Sequence, residues 1–199
     1  MVKSMTEQRE RVAELERQSN ETAVSVRVNL DGTGANEIET KVPFFSHMLA
    51  TLSKHGHIDL VVNATGDLDH HVVEDTAIVL AQAIREALGD MKGIYRFGQH
   101  YVPMDETLAR VVIDLSGRPW YVGDLKTEGL DIEGMKIEDI AHFFVTFAQN
   151  LKANVHIEVL YGENDHHKVE AAMKALALAL RMAVKVEGTE LPTTKGVLD

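Results

Sequence analysis

One nine-residue pattern occurs twice in this chain. Gly66-Asp67-Leu68-Asp69-His70-His71-Val72-Val73-Glu74 and Gly162-Glu163-Asn164-Asp165-His166-His167-Lys168-Val169-Glu170 share Gly-x-x-Asp-His-His-x-Val-Glu at an offset of 96. The likeness continues on both sides. Upstream, 57–62 and 155–160 are short β-branched runs of strand type, and His47-Met48-Leu49 echoes His142-Phe143-Phe144 at an offset of 95. Downstream, 77–87 and 172–184 are Ala- and Leu-rich helical runs. A repeat of this length makes each copy a supersecondary unit that shares a core with its twin.

Each half therefore reads as strands, helix, strand, and a second helix that opens on His-His-x-x-Glu. The strand runs 23–30 and 110–115 end in Asp31-Gly32 and Ser116-Gly117, both turn pairs. The predicted fold is α+β, with two pseudo-repeated halves, each a small β-sheet with two helices packed on one face. The halves are expected at about 17–105 and 106–190, within a single domain over 1–199. Pro192 and Gly196 mark a C-terminal tail, 191–199.

Composition narrows the partners. A formal charge of -11 excludes broad nucleic-acid binding, which needs a basic face. With no cysteine, disulfides, thiolate metal sites and Cys nucleophiles are all ruled out. The first ten residues contain no apolar stretch of signal-peptide length. The most apolar helical run, 171–184, is broken by Lys174 and Arg181 and is too short to span a bilayer. A cytoplasmic protein with no nucleic-acid or membrane partner is expected. Ten histidines, against six Phe and one Trp, are the anomaly, and they cluster.

Helical spacing gives the cluster a chemistry. Residues four apart share a helix face, whereas the neighbouring position is rotated by roughly 100°. His70 and Glu74 can chelate one cation, as can His166 and Glu170, while His71 and His167 diverge. If the two motif helices face each other, each divergent His completes the other helix's ion. His47 and His142 are natural fourth ligands, with the ion each serves left open. Four nitrogen and oxygen donors on an octahedral ion leave two positions for substrate or water, but would fill tetrahedral zinc. That favours two Mn²⁺ per active site, with other divalent metals able to compete. From these residues alone a binuclear phosphate-ester hydrolase and a non-catalytic metal-storage protein both stay open.

Further stretches narrow the choice: Glu21-Thr22, Pro43-Phe44-Phe45-Ser46-His47-Met48-Leu49, His55-Gly56, Arg96-Phe97-Gly98, Pro103-Met104-Asp105-Glu106, Asp114-Leu115-Ser116-Gly117-Arg118-Pro119 and Leu191-Pro192-Thr193-Thr194-Lys195-Gly196. In this order, together with both His-His motifs, they resemble the imidazoleglycerol-phosphate dehydratases from about Arg17 to Leu198. Two departures stand out: Gly66-Asp67-Leu68-Asp69 is shorter than the family's usual run, and Thr193-Thr194 replaces the usual Ser-Ser.

The resemblance implies the ribosomal protein S5 domain 2-like fold and a lyase of histidine biosynthesis that dehydrates imidazoleglycerol phosphate to imidazoleacetol phosphate. It implies manganese ligands at His47, His70, His71, Glu74, His142, His166, His167 and Glu170. It implies substrate contacts at Glu21, His55, Arg96, Arg118, Thr193, Thr194 and Lys195, with Glu21 and His55 as the catalytic candidates and the two Arg and Lys195 on the phosphate. It also implies trimers built into a 24-subunit homo-oligomer with active sites between subunits. The proton to be lost lies next to no carbonyl, so the driving force must come from the ring, bound as imidazolate to the two metals.

Overall fold

Alternation in Thr22–Asn29 and Thr107–Asp114 sends Val24, Val26 and Val28, or Ala109, Val111 and Ile113, to one buried face. The structure, a computed structural model, describes residues 10–198. Residues 1–9, read above as lacking a signal-peptide stretch, and position 199 lie outside the described residues. The first half runs β1 (Val12–Gln18), β2 (Thr22–Asn29), β3 (Asn36–Thr40), α1 (Pro43–Gly56), β4 (Asp59–Gly66) and α2 (Asp69–Leu88). The second runs β5 (Phe97–Met104), β6 (Thr107–Asp114), β7 (Trp120–Asp124), the hairpin β8 (Asp131–Ile132) and β9 (Met135–Lys136), α3 (Ile137–Leu151), β10 (Asn154–Tyr161) and α4 (Asp165–Ala183).

The two main sheets have matching orders, β1-β2-β4-β3 and β5-β6-β10-β7. In each, the last strand joins in parallel and the others are antiparallel. The α+β fold of pseudo-repeated halves is therefore as predicted. The division between halves is not at 105, however. That position sits in the turn from β5 to β6, inside the second sheet, and the halves part between Leu88 and Phe97. An insertion explains the difference. β1 and β5 start 85 residues apart (97 minus 12), but α1 and α3 start 94 apart (137 minus 43). The β8–β9 hairpin fills that gap, so an offset carried back from the His-His motif lands too late.

Pro43 stands in the first turn of α1, where its missing N–H costs nothing. Asn164 caps α4, its side chain accepting from the N–H groups of His166 (2.9 Å) and His167 (3.2 Å). A Cβ on Gly98 would meet the Ala179 carbonyl oxygen at 1.9 Å, so only glycine lets α4 lie this close on β5. The helices pair across the halves: α2 packs on α3, and α1 on α4. Phe45 of α1 and Phe143 of α3 meet edge to face at 5.4 Å in the shared core.

Outside the core, Asp59 holds the loop between β2 and β3. Its Oδ1 accepts the N–H groups of Thr33 (2.7 Å), Gly34 (3.1 Å) and Ala35 (3.0 Å). These bonds, Thr33's first, hold the carboxyl below the usual carboxylate range. Asp59→Ala is expected to cost about 2 kcal/mol in urea unfolding. Because the folded pKa is lowered, the deficit should be complete above about pH 4 and shrink as pH falls through the depressed value. An unchanged midpoint at neutral pH would show that the loop holds itself.

Candidate metal centre

Crosswise helix pairing decides which histidine joins which motif. On α2, His70 Nε2 lies 3.9 Å from Glu74, and α3 brings His142 Nε2 to 3.2 Å from the same carboxylate. On α4, His166 Nε2 lies 3.0 Å from Glu170 Oε2, and α1 brings His47 Nε2 to 3.2 Å from that oxygen. In each trio one donor atom per residue lies within 4.8 Å of the other two. Metal–ligand bonds near ~2.1 Å set donors roughly 3–4 Å apart, so a small contraction would let each trio grip one cation. His142 thus serves the α2 motif and His47 the α4 motif.

One expectation fails. The motif helices do not face each other, because each is covered by the first helix of the opposite half. His71 and His167 therefore cannot complete the other trio within one chain. Each instead turns to a carboxylate: His71 Nδ1 donates to Asp67 and His167 Nδ1 to Glu106, both at 2.8 Å. A carboxylate only accepts, so in its neutral form each ring has its proton on Nδ1 and its lone pair on Nε2, the tautomer a metal ligand needs. The Asp67 bond raises the His71 pKa. The Asn164 N–H, then His167, hold Glu106 far below the usual carboxylate range.

The local electrostatics differ between the trios. Burial works to raise the Glu170 pKa, but Lys174 at 2.7 Å and the rings of His47 and His166 outweigh it and bring it to about 2. On the other side His70 Nδ1 donates to the buried Asp139 at 2.6 Å. The Nε2 of His142 is shut off from solvent and makes no hydrogen bond among the described residues, since its approach to Glu74 lacks hydrogen-bonding geometry. A buried polar atom without a partner is costly, and a cation shared with Glu74 and His70 would remove that cost. The donor sets therefore fit divalent cations.

Other candidates fall into separate places. Glu21, exposed in the β1–β2 turn, brings its carboxylate to 3.8 Å from His71 Nδ1. His55 is half-buried further along α1, its pKa lowered by burial and by the charge of Lys174. Arg96, Arg118, Thr193, Thr194 and Lys195 all line one cavity of about 570 Å³. Arg96 is braced there by Asp114 (2.7 and 3.1 Å) and by the Pro192 carbonyl (2.9 Å). The Ser116 hydroxyl accepts the Arg118 N–H at 3.3 Å across the turn at Gly117, the tight turn predicted for this segment. Three carboxylates escaped the sequence reading. Asp67 precedes His71 by one helical turn and was visible as spacing; Glu106 and Asp139 reach their histidines from 61 and 69 residues away.

The chain is similar to known proteins over most of its length. The family model for imidazoleglycerol-phosphate dehydratase matches residues 40–180. The dehydratase of Methanococcoides burtonii is 50% identical over 191 residues, covering 94% of this chain and 100% of the relative. That of Chlorobium luteolum is also 50% identical over 191 residues, covering 94% and 96%. The crystal structure from Pyrococcus furiosus superposes with a TM-score of 0.82 at 37% identity, covering 92% of this chain and all of that one. The Staphylococcus aureus structure gives 0.81 at 35% identity, covering 89% and 99%.

Proposed function

Since the chain belongs to the imidazoleglycerol-phosphate dehydratase family, we propose that it performs that hydro-lyase reaction on two divalent cations, one in each His-His-Glu trio. The reaction dehydrates imidazoleglycerol phosphate on the way to histidine. The observation that carries the metal reading is the pair of trios, each with its donor atoms within 4.8 Å. The test compares metal-stripped protein with and without Mn²⁺. Imidazoleacetol phosphate should form only with the metal, and release of inorganic phosphate instead would overturn the reading.

The cations, when bound, would supply positive charge that stabilises the substrate ring as imidazolate, with Mn²⁺ the best fit to open octahedral sites. His47, His166 and Glu170 would hold one, and His70, Glu74 and His142 the other. Glu21 supplies the proton-transfer group, taking the proton from the central carbon and returning one to the departing hydroxyl. His55 is the second polar group assigned to the substrate, its lowered pKa keeping it neutral as donor or acceptor. The two arginines and Lys195 take the phosphate, and Thr193 and Thr194 add hydroxyl donors. Deleting residues 192–199 should raise KM for the substrate at least ~10-fold while sparing metal content, because a wall of the phosphate cavity goes with it. Steady-state kinetics and metal analysis would check this; an unchanged KM would take the tail out of substrate binding.

The site is incomplete in one chain, since each trio offers three donors and His71 and His167 point outward. We assign the fourth donor to a second copy of this chain, in a homo-oligomer of the 24-subunit kind. The outer face of the second sheet supports such contacts. Tyr101, Val112, Trp120 and Val122 are exposed there, whereas the matching face of the first sheet presents Glu14, Arg27, Asn63 and Glu37. A cytoplasmic setting suits a biosynthetic role in a cysteine-free chain. No helix among the described residues is long and apolar enough to cross a membrane.

A further inference from the structure

The duplicated halves place like residues at like positions, so departures from the repeat show where the two trios were made different. Two such departures touch the trios. Asp139 stands three residues before His142; the matching position before His47 is Phe44. Lys174 stands four residues after Glu170; the matching position after Glu74 is Ile78. Each change alters the charge beside a cation.

Asp139 is 3% exposed and accepts the Nδ1–H of His70 at 2.6 Å. It therefore fixes that ring with Nε2 toward Glu74, makes the ring a stronger donor, and adds a negative charge that solvent does not screen. Phe44 gives His166 a ring edge at 5.1 Å and no charge. Glu133 on the β8–β9 hairpin approaches His166 Nδ1 only to 3.7 Å, and its side chain is 69% exposed, so it cannot do what Asp139 does. In the same trio Lys174 grips Glu170 Oε1 at 2.7 Å. Glu170 is only 10% exposed, so the ammonium both competes for the carboxylate and repels an incoming dication with little solvent between them. The two charges, Asp139 and Lys174, act in one direction.

We propose that the two cation sites are unequal by construction: the His70–Glu74–His142 site, backed by Asp139, fills first and holds tightly, and the His47–His166–Glu170 site, opposed by Lys174, is the weak and exchangeable one. Asp139 and Lys174 are positioning residues, acting through His70 and Glu170. The inference rests on the two-cation reading above and goes beyond it by ranking the sites.

The test is a Mn²⁺ titration of the metal-stripped, full-length protein, followed by the electron paramagnetic resonance signal of free Mn²⁺ and by calorimetry. Wild type should show two classes, one ion per chain each, with dissociation constants at least ~10-fold apart. Asp139→Asn, which keeps the shape, should weaken the tight class by about 10–100-fold and leave the weak class in place. Lys174→Met should tighten the weak class and bring the two together. A merely structural loss would lower both classes, and circular dichroism would show it. Two equal classes in wild type, or Asp139→Asn acting on the weak class, would overturn the ranking. Absence of any bound Mn²⁺ would overturn the two-cation reading itself.

Discussion

Glu21→Gln is expected to lower kcat for dehydration by about 10²–10⁴-fold, the usual worth of a positioned acid–base group. The structure makes this a clean experiment. The backbone of Glu21 is pinned independently of its carboxylate: its N–H donates to Ser19 Oγ at 3.2 Å, and its carbonyl accepts the Asp67 N–H at 3.0 Å. The side chain is exposed and belongs to neither trio, so glutamine should leave stability and metal content unchanged. KM should stay within a few-fold, because only the proton-transfer step loses its partner. Stopped assays over a pH series, with metal analysis on the same sample, would decide the matter. Near-normal turnover in the variant would remove Glu21 from the chemistry.

The second large effect concerns the outward histidines. Replacing His71 and His167 by alanine together should lower Mn²⁺ affinity by about 10–100-fold, although neither belongs to a trio. It should also shift the assembly to smaller species, since each Nε2 is assigned to a cation of another copy. Sedimentation run with and without chelator provides the check. In wild type, stripping the metal should loosen the assembly, and Mn²⁺ should restore it along with activity. If the double variant binds Mn²⁺ as wild type does, the fourth donor must come from elsewhere. Asp67 and Glu106, which set the tautomers of these rings, should give smaller effects in the same direction.

What could be read from the chain, and what could not, follows from the range of each interaction. Local periodicity gave β2 and β6, because the buried face of each is apolar beyond its opening threonine. A four-residue helical step gave the pairing of His70 with Glu74 and of His166 with Glu170. The repeat itself gave the architecture. Other features are properties of packing between distant segments. Which helix covers which cannot be deduced from two similar amphipathic patterns, so the motif helices were expected to face each other when in fact α1 and α3 cover them. The β8–β9 hairpin escaped because two short strands of two residues each leave no periodicity. Its omission moved the expected boundary into the second sheet. Asp139 and Glu106 gave no signal, as an acid tens of residues from its histidine looks like any other surface acid. The tail and both arginines were drawn together by resemblance alone, and the structure sets them around one cavity.

The crosswise helix pairing bears on how such a chain could arise. Each trio takes two donors from one half and the third from the other, so a half-length ancestor would have had no complete trio of its own. Two copies of that ancestor, related by a twofold axis, would have formed both trios at once. Gene fusion would then have tethered an arrangement that already worked, freeing each half to diverge.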